Sequence, residues 1–174
     1  EVNAGIDQTI CEGETVSLSG SGANTYAWDN SVINGASFSP SLGTTSYTLT
    51  GTDGNGCVSA DEVEVIVNSL PEVNAGIDQT ICEGETVSLS GSGASSYVWD
   101  NGVINGASFS PSLGTTSYTL TGTDGNGCVS TDEVEVIVNS LPEVNAGADQ
   151  TICEGEMVSL SGSGASSYVW DNGV

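Results

Sequence analysis

The stretch TSYTLTGTDGNGC runs from Thr45 to Cys57 and returns unchanged at Thr116–Cys128. Its first eight residues alternate. Tyr47 and Leu49 point one way, Thr48 and Thr50 the other, which is the period of a half-buried β-strand. The next four, Asp53-Gly54-Asn55-Gly56, are turn chemistry, with Asn-Gly suited to positive φ. Six residues past Gly56, Glu62–Val67 alternates again, with Val63, Val65 and Val67 inward and Glu62 and Glu64 outward. The two runs read as a β-hairpin with Cys57 just past its turn, and a protein built on such hairpins is all-β.

Other segments follow the same rule. Thr15–Ser19 puts Val16 and Leu18 on one face, Tyr26 and Trp28 share a face, and Ala36–Pro40 is a short strand stopped by proline. No window carries a helical period. Seven or so short strands separated by turns describe a small β-sandwich. Trp28, Trp99 and Trp170 are its expected core tryptophans, a reading preferred to sugar-stacking platforms. Tyr47 and Tyr118 are expected in the core too, where a tyrosine corner could lie, and Leu18 and Leu49 take the places of an antibody domain's inter-sheet cysteines.

The unit is copied. EVNAG begins at Glu1, Glu72 and Glu143, a spacing of 71 residues. The organisation expected is repeat 1 over 1–71, repeat 2 over 72–142 and a partial repeat 3 over 143–174, with Asn68-Ser69-Leu70-Pro71 as a stiff linker. Repeats 1 and 2 differ only at Asn24/Ser95, Thr25/Ser96, Ala27/Val98, Ser31/Gly102 and Ala60/Thr131, and the third copy differs from the second at Ala148 and Met157. Near-identical tandem copies suit reach or avidity better than a set of different active sites.

Composition narrows function further. The 174 residues contain 23 Asp and Glu and no Lys, Arg or His, a net charge of −23. Such a chain repels nucleic acid and anionic membranes. Dissolved salt, Ca²⁺ or a cationic partner is expected to screen it. Without His, Lys or Arg the usual nucleophile–base pairs cannot be assembled, so no enzyme activity is expected. Paired carboxylates of the glycosidase kind are outweighed by a solubilising role on outward strand faces. No apolar run is long enough for a spanning helix.

The five cysteines, Cys11, Cys57, Cys82, Cys128 and Cys153, allow two regular pairings. Bridges within repeats, Cys11–Cys57 and Cys82–Cys128, leave Cys153 without a partner in its own repeat. Bridges between repeats, Cys57–Cys82 and Cys128–Cys153, leave Cys11. The first is favoured because each repeat should be self-contained. A weak calcium site is the second candidate, drawn from Asp7, Glu12, Glu14, Asp53, Asp61 and Glu62, should loops near the repeat junction come together. Asp53–Cys57 does not fit an EF-hand loop, and a plain turn outranks a metal site there.

ICEGETVSLSGSG (Ile10–Gly22), YVWDNG (Tyr97–Gly102), FSPSLGTTSYTLTGTDGNGC (Phe38–Cys57) and DEVEVIV (Asp61–Val67) resemble the immunoglobulin-like, PKD-like tandem repeats of giant secreted Bacteroidetes surface proteins, gliding-motility adhesins among them. WDN stands where standard PKD domains carry WDFGDG, so the likeness is one of architecture. It implies export to the cell surface or beyond, one sandwich per repeat, and a spacer or adhesive role. The chain is expected to be a non-catalytic extracellular stalk or fibre, associating with itself or with neighbouring repeats and able to meet a surface glycan or protein. Two alternatives stand beside this: a self-assembling filament subunit with lateral or strand-sharing contacts, and a carbohydrate-binding module.

Overall fold

The structure, a computed structural model, describes residues 1–172. Its first unit has six strands: β1 Gln8–Cys11, β2 Val16–Ser17, β3 Thr25–Trp28, β4 Ser37–Phe38, β5 Gly43–Thr52 and β6 Val58–Asn68. The second repeats them as β7 Gln79–Cys82, β8 Val87–Ser88, β9 Ser96–Trp99, β10 Ser108–Phe109, β11 Gly114–Thr123 and β12 Val129–Asn139. Six strands per unit replace the seven or so expected. The segments Thr15–Ser19 and Ala36–Pro40 shrink to two paired residues each, Val16 against Phe38 and Ser17 against Ser37. Leu18 then leaves the ladder, its carbonyl accepting from the Gly35 amide.

Each unit is a sandwich of a four-stranded sheet, ordered β1-β6-β5-β3, and a two-stranded one, β2-β4. The β5–β6 hairpin is the spine. Its register runs unbroken from Gly43↔Val67 to Thr52↔Val58. The inward set is the one that alternation picks out: Tyr47, Leu49, Val63, Val65 and Val67 are buried. Trp28, Val16, Leu18, Val2 and Ala4 complete the core, and the second unit matches it residue for residue apart from Val73, which is slightly more open. The likeness to an immunoglobulin-type sandwich lies in this arrangement of two sheets, with β1 running parallel along the edge of β6.

The segment before β1 is tied down by acids. Asp61 Oδ2 accepts from the Ala4 amide at 2.8 Å, and Asp7 Oδ1 accepts from the Glu64 amide at 2.9 Å. Gly51 makes room for this segment, because a Cβ there would overlap the Val2 side chain. Asn34 organises the opposite side. Its Oδ1 accepts from the Trp28 indole N–H at 3.0 Å and from the Gly20 amide at 2.7 Å. The indole is thus held by its edge while its faces pack in the core, which satisfies its only donor.

Tyr47 makes no corner hydrogen bond back to the main chain. Its ring meets Phe38 edge to face, with centroids 5.3 Å apart, and Tyr118 meets Phe109 likewise. Burial raises the pKa of both phenols. The local tyrosine loop belongs instead to Tyr26, whose hydroxyl donates to the Ala23 carbonyl at 2.8 Å and accepts from the Ala23 amide at 3.0 Å.

The third copy, from Glu143 onward, keeps its turns but forms no ladder among the described residues beyond the Asn145↔Ser163 bridge. Val144, Val158, Leu160 and Tyr168 are exposed, and Trp170 is only partly covered. The core role expected for Trp170 is therefore not met, whereas Trp28 and Trp99 are buried as expected.

Candidate functional site: the repeat junction

Each complete unit has two chemically distinct ends. At one end, called the head here, β5 turns into β6 through TDGNGC. Asp53 Oδ1 accepts from the amides of Asn55 and Cys57, both at 2.8 Å, and the Asp53 amide donates to the Cys57 carbonyl at 2.9 Å. Gly56 takes a φ of +84°, which closes the turn. The amides of Cys57 and Asn55 hold the Asp53 carboxyl below the ordinary carboxylate pKa. Asp124 is lowered as well: desolvation works against it, and the amides of Cys128 and Asn126 outweigh that.

At the other end, the tail, β1 finishes beside the finish of β6, with Cys11 opposite Asn68. The CEGE loop caps it. The Glu12 amide donates to the Asn68 carbonyl at 2.8 Å, and Glu14 Oε2 accepts from the Cys11 amide at 2.7 Å. The same cap recurs at Cys82–Glu85 and Cys153–Glu156. The linker leaves from this end, so the tail of the first unit is joined to the head of the second.

This polarity decides the disulfide. Cys11 is bonded to Cys128, 117 residues away, with Cα atoms 5.6 Å apart. The tail cysteine of one repeat is stapled to the head cysteine of the next. Neither pairing expected from spacing occurs. Cys57 immediately precedes β6 and Cys11 lies opposite its last residue, so the strand's 11 residues separate them. At about 3.3 Å per residue that is roughly 35 Å, against a reach of about 7 Å for a bridgeable pair. The same strand length in the second unit keeps Cys82 from Cys128. A Cys57–Cys82 bond would need the head of the first unit at the tail of the second, while the chain joins the opposite ends. Cys128–Cys153 fails because Cys128 is already taken. Cys57, Cys82 and Cys153 are exposed free thiols, whereas Cys128 is 1% exposed.

The calcium candidates scatter in the same way. Asp53 sits at the head and Glu12 and Glu14 at the tail, while Asp61 on β6 accepts from the Ala4 amide, Asp7 accepts from the Glu64 amide and Glu62 meets the Ser46 hydroxyl. Among the described residues no three acidic or cysteine side chains converge as a metal would need.

The signal missed in the sequence was direction. QTIC had to be seen as a parallel partner for the end of β6 before Cys11 could be placed at the tail. Asn34 was missed too. An amide six residues after Trp28 reads as turn chemistry, and its bond to the indole becomes visible only when β2 and β4 bring the loop over the core.

No family model matches the chain, and no curated protein matches it. Solved structures resemble it loosely. Fibronectin(III)-like modules of CbhA from Clostridium thermocellum share 13% identity, over 80% of this chain and 95% of theirs, with a TM-score of 0.35. The N-terminal eight Ig domains of Down Syndrome Cell Adhesion Molecule share 18% over 93% of this chain, with a TM-score of 0.38. The insect immune protein hemolin shares 14% over 80%, with a TM-score of 0.40. The chain spans 31% and 46% of the length of the last two. The immunoglobulin-like class rests on the sheet order and register above.

Proposed function

We propose that the chain is part of a non-catalytic extracellular repeat array, a stalk or fibre at a cell surface of the gliding-adhesin type. One observation carries this reading: the Cys11–Cys128 bond runs from the tail of one repeat to the head of the next. A disulfide that closes a single domain stabilises that domain. One that crosses a junction adds a second covalent connection along the array, and it belongs to an oxidising compartment. Buried Trp28 and Trp99 leave the complete repeats without the flat aromatic face that a sugar-binding platform would need. Immuno-electron microscopy of cells bearing the protein tests this reading. Label spaced along thin surface fibres supports it, and label confined to the cell interior or to compact particles overturns it.

The staple has a mechanical signature. Load entering at Glu1 passes from Cys11 straight to Cys128 and skips everything between them. Pulling a single oxidised molecule by its ends should therefore give a contour length shorter than the reduced molecule's by roughly 40 nm, at about 3.4 Å for each hidden residue. Equal lengths with and without reductant would remove the staple from the load path.

A further inference from the structure

Six Asn-Gly steps occur in the chain, at Asn34, Asn55, Asn101, Asn105, Asn126 and Asn172. In such a step the glycine nitrogen can attack the asparagine side-chain carbonyl, because no Cβ shields it and its backbone turns freely. Gly173 lies outside the described residues, which leaves five steps to compare. All five asparagines are exposed, so access to water does not separate them. The attacking N–H does. Gly35 donates to the Leu18 carbonyl at 2.8 Å and Gly106 to the Leu89 carbonyl at 2.7 Å. Gly56 donates to the Asp53 carbonyl at 3.2 Å and Gly127 to the Asp124 carbonyl at 3.3 Å. Only the Gly102 amide donates to no acceptor among the described residues.

The turn geometry accounts for the exception. Asp100–Val103 is closed by the Val103 amide on the Asp100 carbonyl at 3.1 Å, with φ of +51° at Asn101 and +72° at Gly102. A four-residue turn uses its fourth amide for closure and leaves its third to solvent. Gly102 is third in its turn, whereas Gly56 and Gly127 are fourth in theirs. The side chains differ as well. Asn105 Oδ1 is clamped by the Trp99 indole and the Gly91 amide. Asn101 is held only through Nδ2, which donates to Asp100 Oδ1 at 3.2 Å and to the Ser117 carbonyl at 3.5 Å.

We propose that Asn101 is a modification site, deamidated by the chain's own backbone with water as the only reactant. The Gly102 nitrogen bonds to Asn101 Cγ and gives up its proton to solvent. The Cγ–Nδ2 bond breaks, ammonia leaves, and a five-membered succinimide ring remains. Water opens the ring at either carbonyl, which yields aspartate or isoaspartate at position 101. One water is consumed, one ammonia is released, and no electrons change hands. The product alters the turn. A carboxylate at position 101 sets an acceptor against Asp100 Oδ1 and the Ser117 carbonyl, where Asn101 had placed a donor. Asp100 Oδ1 also accepts from the Thr119 amide at 3.0 Å, so the new charge loosens the link between this turn and β11. The first unit lacks the site, because Ser31 stands where the second has Gly102 and its Cβ shields the nitrogen. Two units of nearly one sequence therefore age differently.

The test incubates the full 174-residue chain in mildly alkaline buffer, then reduces it and cuts it before each aspartate. Asn101 and Asn105 fall in fragment 100–123, Asn34 in 29–52, Asn55 in 53–60 and Asn126 in 124–131, all distinct in mass. Conversion replaces NH by O, and tandem mass spectrometry assigns it to one residue. Asn101 should convert about fivefold faster than any of the other four, the factor that one net hydrogen bond on the attacking amide represents. Equal or faster conversion at Asn34, Asn55, Asn105 or Asn126 overturns the proposal. In denaturing urea the five rates should draw together. If the whole lead of Asn101 persists there, neighbouring sequence sets the rate and the structural assignment fails. Ser31→Gly suits the φ of +62° at that position and should bring Asn30 to the rate of Asn101. No gain at Asn30 overturns the proposal as well. Amide exchange at Thr119 should quicken in the converted fraction, and unchanged exchange overturns the loosening.

Discussion

Leu89 and Leu160 sit in the same sequence, VSLSGSG, 71 residues apart, yet one is sealed in a core and the other faces solvent. The difference separates what this sequence does locally from what it does only with a partner. Turns survive in the third copy. Tyr168 still bonds Ala165, Glu156 still caps Cys153, and Asn145 still bridges Ser163. Gln150–Cys153 and Ser167–Trp170 form no ladder, and no hairpin among the described residues lies between them. The Tyr168–Ala165 and Glu156–Cys153 bonds each span three residues and close on themselves, and the Asn145–Ser163 bridge spans only 18. The ladders at the two edges of the large sheet join segments 57 residues apart for β1 and β6 and 21 to 27 apart for β3 and β5, and both run through the central hairpin.

The comparison breaks first at the core. Leu120→Ala should destabilise the second unit by about 2–5 kcal/mol, since Leu120 is wholly buried and a cavity would remain. Leu160→Ala in the third copy should leave the denaturation midpoint unchanged. Comparable losses for the two would mean that residues 143–170 already share a core with the rest of the chain.

A middle-sized effect tests the polar side of the same core. Asn105 Oδ1 accepts from the Trp99 indole at 3.0 Å and from the Gly91 amide at 2.8 Å. Asn105→Ala leaves both donors without their acceptor and should cost about 1–3 kcal/mol. Asn105→Asp keeps the acceptor and should recover most of it at neutral pH. If Asp recovers nothing, the amide is there for shape and not for its bonds.

These two sites also show what was legible. Val63, Val65, Val67 and Leu49 could be placed in the core from alternation alone, because a strand's period of two needs no knowledge of its partner. The hairpin at TDGNGC was equally plain, since Asp53 satisfies its own turn. Cysteine pairing was not, because it depends on which end of β6 each cysteine reaches, and that follows from the parallel pairing of β1 over four residues. The acids misled for a related reason. Glu14 and Asp53 look close in function but lie at opposite ends of the unit, each bound to local amides.

Smaller still is the contribution of the head turn. The folded-state pKa of Asp124 is lowered, so its stabilisation is complete above the unfolded value of about 3.9 and is lost as pH falls through the folded value. Asp124→Asn should therefore unfold earlier than the parent at pH 7, and the gap should close below about pH 4. A gap that widens in acid would contradict the turn's charge-assisted bonds.

The smallest effect concerns the charge as a whole. Glu62 and Glu64 lie on the outward face of β6, Glu133 and Glu135 on that of β12, and no side-chain cation exists to offset them. Raising NaCl from about 0.01 M to 1 M shortens the screening length from about 30 Å to 3 Å, so the melting temperature of the complete units should rise. With no three carboxylates converging among the described residues, CaCl₂ at equal ionic strength should add little beyond its valence. A calcium shift far above the sodium one, saturating at low concentration, would mean that a cation site forms where two repeats or two chains meet, and it would move the acids from solubility to assembly.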